Sequence, residues 1–293
     1  MRMKCEEIYM HSPEYPVSKM CKALGVYENQ YYRWIRANER RKRRRQAEQE
    51  LVDKVIKVFK DNKEVYGCKK IYMAINKEIH VSEWKIRKIM RENGLYSVCI
   101  KKYKASRGKS KTDNQYSENL LNRQFDVSTI GVVWAGDITY IPTNMGWVYL
   151  AAVMDLYNRE IIGYQLSTEI NTELTVRALD KAKARSVKQD GIIFHSDRGS
   201  QYTSKRYQKN LEDSGIRSSM SSPGCPYDNS CMESFFAGLK KECTRRKKYA
   251  TIEEVKRDLF EYIELFYNRK RLHSTLGYMS PVEYRIANKE KSA

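Results

Sequence analysis

The alternation of apolar and polar positions divides the chain into two parts of different character. Up to about residue 100 the apolar residues recur at helical spacing. Val17, Met20 and Leu24 do so in VSKMCKALGV, which Gly25 stops, and a second amphipathic stretch follows in NQYYRWIRANERR. Two helices around a tight glycine turn predict a helix-turn-helix. The pattern then recurs, with AEQELVDKVIKVFKDN as one helix, YGCKKIYMAINKEI as a second, and Ser82 capping a third, EWKIRKIMRENG, that ends on Gly94. In that last helix Trp84, Ile86, Ile89 and Met90 are expected to pack, which leaves Lys85, Arg87, Lys88 and Arg91 for phosphates or bases. After Phe125 the period changes. VVWAGDITYI, WVYLAAVMDLY and REIIGYQLS are rich in β-branched and aromatic residues and predict three antiparallel strands, with Asn158 and Arg159 near one turn. A helix (TELTVRALDKAKARS), a buried-type strand (GIIFHS), a helix (SKRYQKNLEDSG), a short strand (IRSSMSS) and a helix from about Ser230 follow. The order is that of a mixed α/β fold.

This reading implies a helical region at 1–100, a stretch at 101–125 without sustained periodicity, and an α/β core with a C-terminal helical extension at 126–293. The middle stretch begins with five basic residues in nine and reads as a basic linker. Charge sharpens the picture. The 293 residues carry 55 Lys and Arg against 36 Asp and Glu, a net +19. Residues 1–125 hold 30 basic and 15 acidic side chains, so most of the excess lies there. A polyanion, nucleic acid above all, is expected to meet that part first, although the run RKRRR at 41–45 alone carries little weight. The longest apolar run, WVYLAAVM, is far too short to span a bilayer, so a soluble, cytoplasmic, nucleoid-associated protein without a membrane partner is expected. Seven cysteines without a CxxC and four histidines without an HxxxH pair argue against a structural zinc site.

The candidate chemistry lies in carboxylates. Asp197, in HSDRGSQY, follows a buried-type strand at its carboxyl end, where α/β proteins place ligands, but Asp-Arg-Gly is also ordinary turn chemistry. Asp137 interrupts the apolar strand VVWAGDITYI, a costly place for a charge unless a cation compensates it. Asp155 competes for the same role, but the turn that follows gives it structural work, and the pattern favours Asp137. Glu233 fits a capping box with Ser230 and also lies on the flank of an apolar stripe formed by Met232, Phe235, Phe236, Leu239 and Cys243. Lys240, seven residues on, returns to the same flank. Three carboxylates and a phosphodiester balance two divalent cations, which suits Mg²⁺ or Mn²⁺ with oxygen ligands.

DITYI, HSDRGSQY, PYDNSCMESFF, LKKE and YNRKRLHSTLGYMSPVEY occur in order, with 35 residues between Asp197 and Glu233. Together they resemble the DDE transposases of insertion sequences with an integrase-type catalytic core, and more narrowly the second-frame product of elements that encode their transposase in two overlapping frames. YGCKKI through ENGL is similar to the helical region that precedes the core in that family. The resemblance implies an RNase H-like core preceded by helix-turn-helix-type DNA-binding modules, with Asp137, Asp197 and Glu233 holding two Mg²⁺ or Mn²⁺ ions. It further implies cleavage at element ends and strand transfer by a 3′-hydroxyl, and Lys240 on the terminal DNA. Double-stranded DNA in the form of terminal inverted repeats and target, a homo-oligomer on it, and the first-frame product are the implied partners. A DNA-binding regulator that has lost the chemistry, or a nuclease that cuts without joining, is the alternative. His195 has no assigned chemistry, and Asp228 and Asn229 match the family's motif as well as a helix start. In the C-terminal segment, Thr251 with Glu254 and Ser280 with Glu283 predict two helix starts. YNRKRLH between them either touches DNA or closes the core.

Overall fold

The computed structural model describes residues 1–100, 117–121, 125–186, 191–222 and 226–289; most of the basic linker expected at 101–125 lies outside the described residues. Three helices open the chain: α1 (Arg2–His11), α2 (Val17–Ala23) and α3 (Glu28–Asp61). Gly25, at φ +60, makes the tight turn between the last two. The two helices expected between 28 and 62 are a single helix of 34 residues, because no Gly or Pro interrupts the stretch and the arginine run continues the spiral. Cys5, Ile8, Cys21, Val26 and Tyr31 close a small core around its first turns. Helices α4 (Cys68–Asn76) and α5 (Glu83–Glu92) pack on its far end, and the Ser82 hydroxyl accepts from Lys85 N as expected. Trp84 does not pack: it is 69% exposed, while Ile86, Ile89 and Met90 are buried. Trp84 stands about 200° around the helix from Ile86, and the spacing of the other three defines the buried stripe.

Strands β1 (Val133–Thr143), β2 (Gly146–Asp155) and β3 (Ile161–Ser167) form the expected antiparallel run. After α6 (Thr172–Arg185), β4 (Ile193–Ser196) pairs in parallel with β1; after α7 (Ser200–Thr203) and α8 (Lys205–Asp213), β5 (Arg217–Met220) pairs in parallel with β4. The sheet order is β3-β2-β1-β4-β5, the mixed sheet of an RNase H-like core. Alternation along β1 sends Trp134 and Ile138 to the face covered by α6 and α8, and Ala135 and Ile141 to the other face. That second face is covered by α9 (Ser230–Leu239), α10 (Ile252–Phe260) and the π-helical turn at 261–267, and α11 (Pro281–Lys289) ends the described chain. The same apolar cluster continues into Leu51, Val55 and Phe59 of α3, Ile71 of α4 and Ile86 of α5, so the helical region and the sheet share a core.

The YNRKRLH segment closes that core. Tyr267, Asn268 and Leu272 are buried, and the Asn268 amide bonds both backbone groups of Ile161 at 3.0 Å. Arg269 and Lys270 remain exposed. Ser280 and Glu283 form a full capping box, whereas Thr251 caps Glu254 N and the Glu254 carboxylate accepts from Ala250 N instead. Among the described residues no helix is long and apolar enough to cross a membrane.

Candidate active site

Strands β1 and β4 pair through Val133↔Ile193, Trp134↔Phe194 and Ala135↔His195, and then part. Asp137 and Asp197 each lie two residues beyond the last pair. They therefore occupy the same register just past the point where these neighbouring parallel strands part, Asp137 in the middle of β1 and Asp197 directly after β4, on backbones about 4.8 Å apart while paired. Two glycines make the arrangement possible. A Cβ at Gly136 would run into the Phe194 ring, and one at Gly199 would stand 3.0 Å from Asp197 Oδ1. Gly199 N instead donates to that oxygen at 3.0 Å, which fixes the carboxylate over the turn. Arg198 Nε donates to Ser221 O at 2.8 Å and holds the ends of β4 and β5 together.

Glu233 comes from α9, which buries Met232, Phe235, Phe236 and Leu239 and leaves Glu233 exposed on the flank. The capping box with Ser230 is not formed. Asn229 is the N-cap and makes no side-chain cap bond; its Nδ2 donates to Gly136 O at 3.2 Å, so the start of α9 is tied to β1 beside Asp137. Asn229 Oδ1 is buried and has no hydrogen-bond partner among the described residues. The buried Asp228 accepts from Ser222 N at 2.9 Å and Asn119 Nδ2 at 3.0 Å, bracing the segment that delivers Glu233. Sequence alone left Asp228 and Asn229 matching the family's motif as well as a helix start. Asn229 does stand at the N-cap, but the side-chain bonds of both residues run to other elements.

Electrostatics mark the same place. Burial, and then the neighbouring charge of Asp197, push the Asp137 carboxyl up to about 8, with Glu233 adding to the rise and Ile138 N–H and Lys240 opposing it. Loss of surrounding water raises Asp197 and Glu233 as well. Among the described residues no three Asp, Glu, His or Cys side chains form a ready-made metal cage. The site is a set of carboxylate oxygens along an open sheet edge. Asp155 is explained otherwise: it is buried, and its two oxygens accept from Gly131 N at 2.7 Å and Tyr157 N at 2.9 Å, tying the turn after β2 to the segment that leads into β1. His195 is buried between strands, with Nδ1 2.9 Å from Ser219 Oγ and Nε2 3.2 Å from Ser221 Oγ, and burial lowers it to about 4. It is a neutral tie between β4 and β5.

Lys240 begins the π-helical turn that continues α9, half-buried, with Nζ 4.6 Å from the Tyr140 ring centroid. On α5, Arg87 and Arg91 are exposed and Lys85 and Lys88 half-buried, with exposed ion pairs from Lys85 to Glu48, Arg87 to Glu83 and Lys88 to Glu92. Such pairs contribute little and exchange readily for phosphates. The α5 cations are remote in sequence from the carboxylates.

Residues 129–226 and 233–288 match the family described as Integrase core domain, and residues 46–103 match an HTH-like domain. The transposase InsF for insertion sequence IS3A of Escherichia coli (strain K12) is 35% identical over 287 residues, 98% of this chain and 99% of its own length. The transposase for insertion sequence element IS904 of Lactococcus lactis subsp. lactis (strain IL1403) is 38% identical over 251 residues, 85% of this chain and 99% of its own. The solved simian T-cell lymphotropic virus intasome, in complex with PP2A regulatory subunit B56 gamma, aligns over 75% of this chain and 70% of its own at 13% identity and a TM-score of 0.46.

Proposed function

The chain belongs to the transposases of IS3-type insertion sequences, and from that premise we propose that Asp137, Asp197 and Glu233 are its catalytic carboxylates. The observation that carries this is the shared register of Asp137 and Asp197 where β1 and β4 part, with α9 tied to β1 at Gly136 and bringing Glu233 to the same edge. An all-oxygen donor set without Cys or His suits Mg²⁺ or Mn²⁺. A hydrated cation would also supply the hydrogen-bond donor that buried Asn229 Oδ1 lacks among the described residues. Asp137, Asp197 and Glu233 would hold two such ions, which when bound activate the attacking oxygen and stabilise the leaving one.

The chain's own part is positioning. The two aspartates and the glutamate set the edge on which the scissile phosphodiester lies, and Asn229 and Asp228 keep α9 in register with β1. Lys240 neutralises phosphate on the terminal DNA beside them. Cleavage at the element end frees a 3′-hydroxyl, which attacks target DNA in line; water and then that hydroxyl are the nucleophiles, so no covalent enzyme intermediate is needed. Residues 1–100 bind duplex DNA, with Lys85, Arg87, Lys88 and Arg91 of α5 as contacts, while residues 126–293 carry the chemistry. Two element ends must meet one target, so the chain acts as a homo-oligomer on DNA, in the cytoplasm at the nucleoid, alone or with a first-frame product.

Single-turnover cleavage and joining of a labelled duplex ending in the inverted repeat that flanks the gene tests this, alongside Mn²⁺ binding by electron paramagnetic resonance. Asp137→Asn, Asp197→Asn and Glu233→Gln should lose both reactions and bind Mn²⁺ more weakly while retaining DNA. Asp155→Asn should melt earlier but react normally per folded molecule, and Lys240→Ala should lose about 10²-fold where Lys241→Ala does not. An active Asp137→Asn paired with an inactive, folded Asp155→Asn would move the first ligand to Asp155.

A further inference from the structure

The β1–β2 hairpin runs past the helices that cover its face, and its far end carries aromatic side chains into solvent. Tyr140 is 56% exposed, Trp147 52% and Met145, at the turn, 80%. Single exposed apolar residues are ordinary, but a contiguous group of large ones marks a binding surface. The register pairs Tyr140 with Tyr149 and Pro142 with Trp147, so Tyr140 and Trp147 are diagonal neighbours on one face. Their rings meet edge to face with centroids 5.0 Å apart.

The hairpin tip is held firmly. Thr143 Oγ1 donates to Gly146 O at 2.8 Å and accepts from Met145 N at 3.2 Å, and Asn144 N donates to Tyr249 O at 2.9 Å. Thr143 also bridges Tyr249. Gly146, at φ +113, takes a conformation closed to residues with a Cβ. The two rings are thus preset. Lys240 Nζ lies 4.6 Å from the Tyr140 centroid and its charge also acts on Asp137; Tyr140 is three residues along β1 from Asp137 and so starts from the other face of the strand, with Lys240 at the edge between them. Among the described residues β1 pairs with no strand on the β4 side beyond Ala135, so Lys240 can approach along that open edge.

We infer that Tyr140 and Trp147 form a stacking platform for an unpaired nucleobase of the DNA held at the carboxylate site. This deepens the transposase reading and rests on it. An aromatic face with a cation beside it matches a base and its phosphate, and stacking accepts any base because every base has a π-face. A protein partner is the less suitable occupant, because the centres of such interfaces are depleted in lysine. A strand drawn into the site must leave its helix locally, and a ring that receives the displaced base offsets the lost stacking. Tyr140 and Trp147 are positioning residues; they carry none of the chemistry.

The full chain should be assayed in single turnover on two duplexes copied from the gene's flanking inverted repeat. One is fully paired, and the other carries mismatches in the base pairs next to the cleavage site. Trp147→Ala and Trp147→Leu should cleave the paired duplex about tenfold more slowly or worse. Both should come within about twofold of wild type on the mismatched one, since the base is already free. Trp147→Phe, which keeps a ring, should stay near wild type on both. Trp147→Leu retains apolar bulk at a half-exposed position and should keep a normal melting temperature, which separates stacking from folding. Equal loss on both duplexes, no loss on either, or loss of assembly on DNA that mismatches do not rescue would overturn the inference. Asp137→Asn is the companion control: activity there would remove the carboxylate reading, while inactivity on both duplexes leaves the Trp147 comparison to decide the platform alone.

Discussion

At the scale of single residues, the carboxylates differ in what they cost the fold. The Asp137 carboxyl is pushed up to about 8, mainly by burial and then by Asp197, whereas a free aspartate titrates near 4. Between those values the native state holds a proton that the unfolded chain has released, so stability falls as pH rises from about 4 toward 8. Asn carries no such penalty. In metal-free buffer Asp137→Asn should therefore melt several degrees above wild type at pH 8 and equally with it near pH 4, and added Mg²⁺ should raise wild type alone. A lower melting temperature for the variant at pH 8 would contradict that account. Glu233 stands exposed on the flank of α9, and Glu233→Gln should change the metal-free melt little. The sequence showed which acids interrupt apolar patterns. It did not show that Asp155 spends both oxygens on backbone N–H groups, that Trp84 faces water, or that Tyr140 and Trp147 stand side by side, because each depends on residues distant along the chain.

At the scale of elements, α3 is the chief departure from the sequence reading. Residues 38–50 are exposed on every side, and six consecutive cations, Arg40, Arg41, Lys42, Arg43, Arg44 and Arg45, occupy that stretch. A helix polar all round has no packed face to stabilise it, and like charges three and four residues apart oppose it. A polyanion relieves that repulsion. Replacing Arg41, Arg43, Arg44 and Arg45 together by Gln should reduce the slope of log affinity against log salt by about 0.9 for each phosphate that the variant no longer neutralises, on any duplex sequence. Circular dichroism should also show wild type gaining helix on DNA where the variant does not. An unchanged slope would return the run to a merely solvated one. The sequence revealed the charge but not its presentation, since periodicity weakens where every position is polar.

At the scale of the whole molecule, the helical region and the catalytic core are joined through the C-terminal segment. The Arg271 guanidinium donates to both Glu242 oxygens at 2.8 and 2.7 Å, and Tyr262 OH donates to Glu242 at 2.8 Å. Nearby, Tyr66 OH donates to Lys270 O at 2.9 Å and accepts from Leu272 N at 2.8 Å, linking the loop before α4 to the same segment. Removing one partner of a buried pair strands the other charge, so Arg271→Ala should cost about 3–5 kcal/mol, and Arg271→Met with Glu242→Leu markedly less. Urea denaturation read separately at Trp84 on α5 and Trp134 on β1, with the other tryptophans replaced, should show both regions destabilised in Arg271→Ala. A shift confined to one region would mean that they unfold independently.

The sequence by itself determined the order of strands and helices in the α/β core, the family motifs and the candidate carboxylates, while it missed α1 and divided α3 in two. Those features rest on local periodicity, caps and turn residues, which act over a few positions. Only the tertiary structure decided which acids share an edge. It set Asp137 opposite Asp197 across sixty residues of chain and tied α9 to β1 through Asn229. It also turned YNRKRLH inward and brought Lys240 to Tyr140. Strand register and helix docking come from burying apolar faces on both sides of the sheet, and many locally equivalent side chains are told apart only by where that packing leaves an edge open.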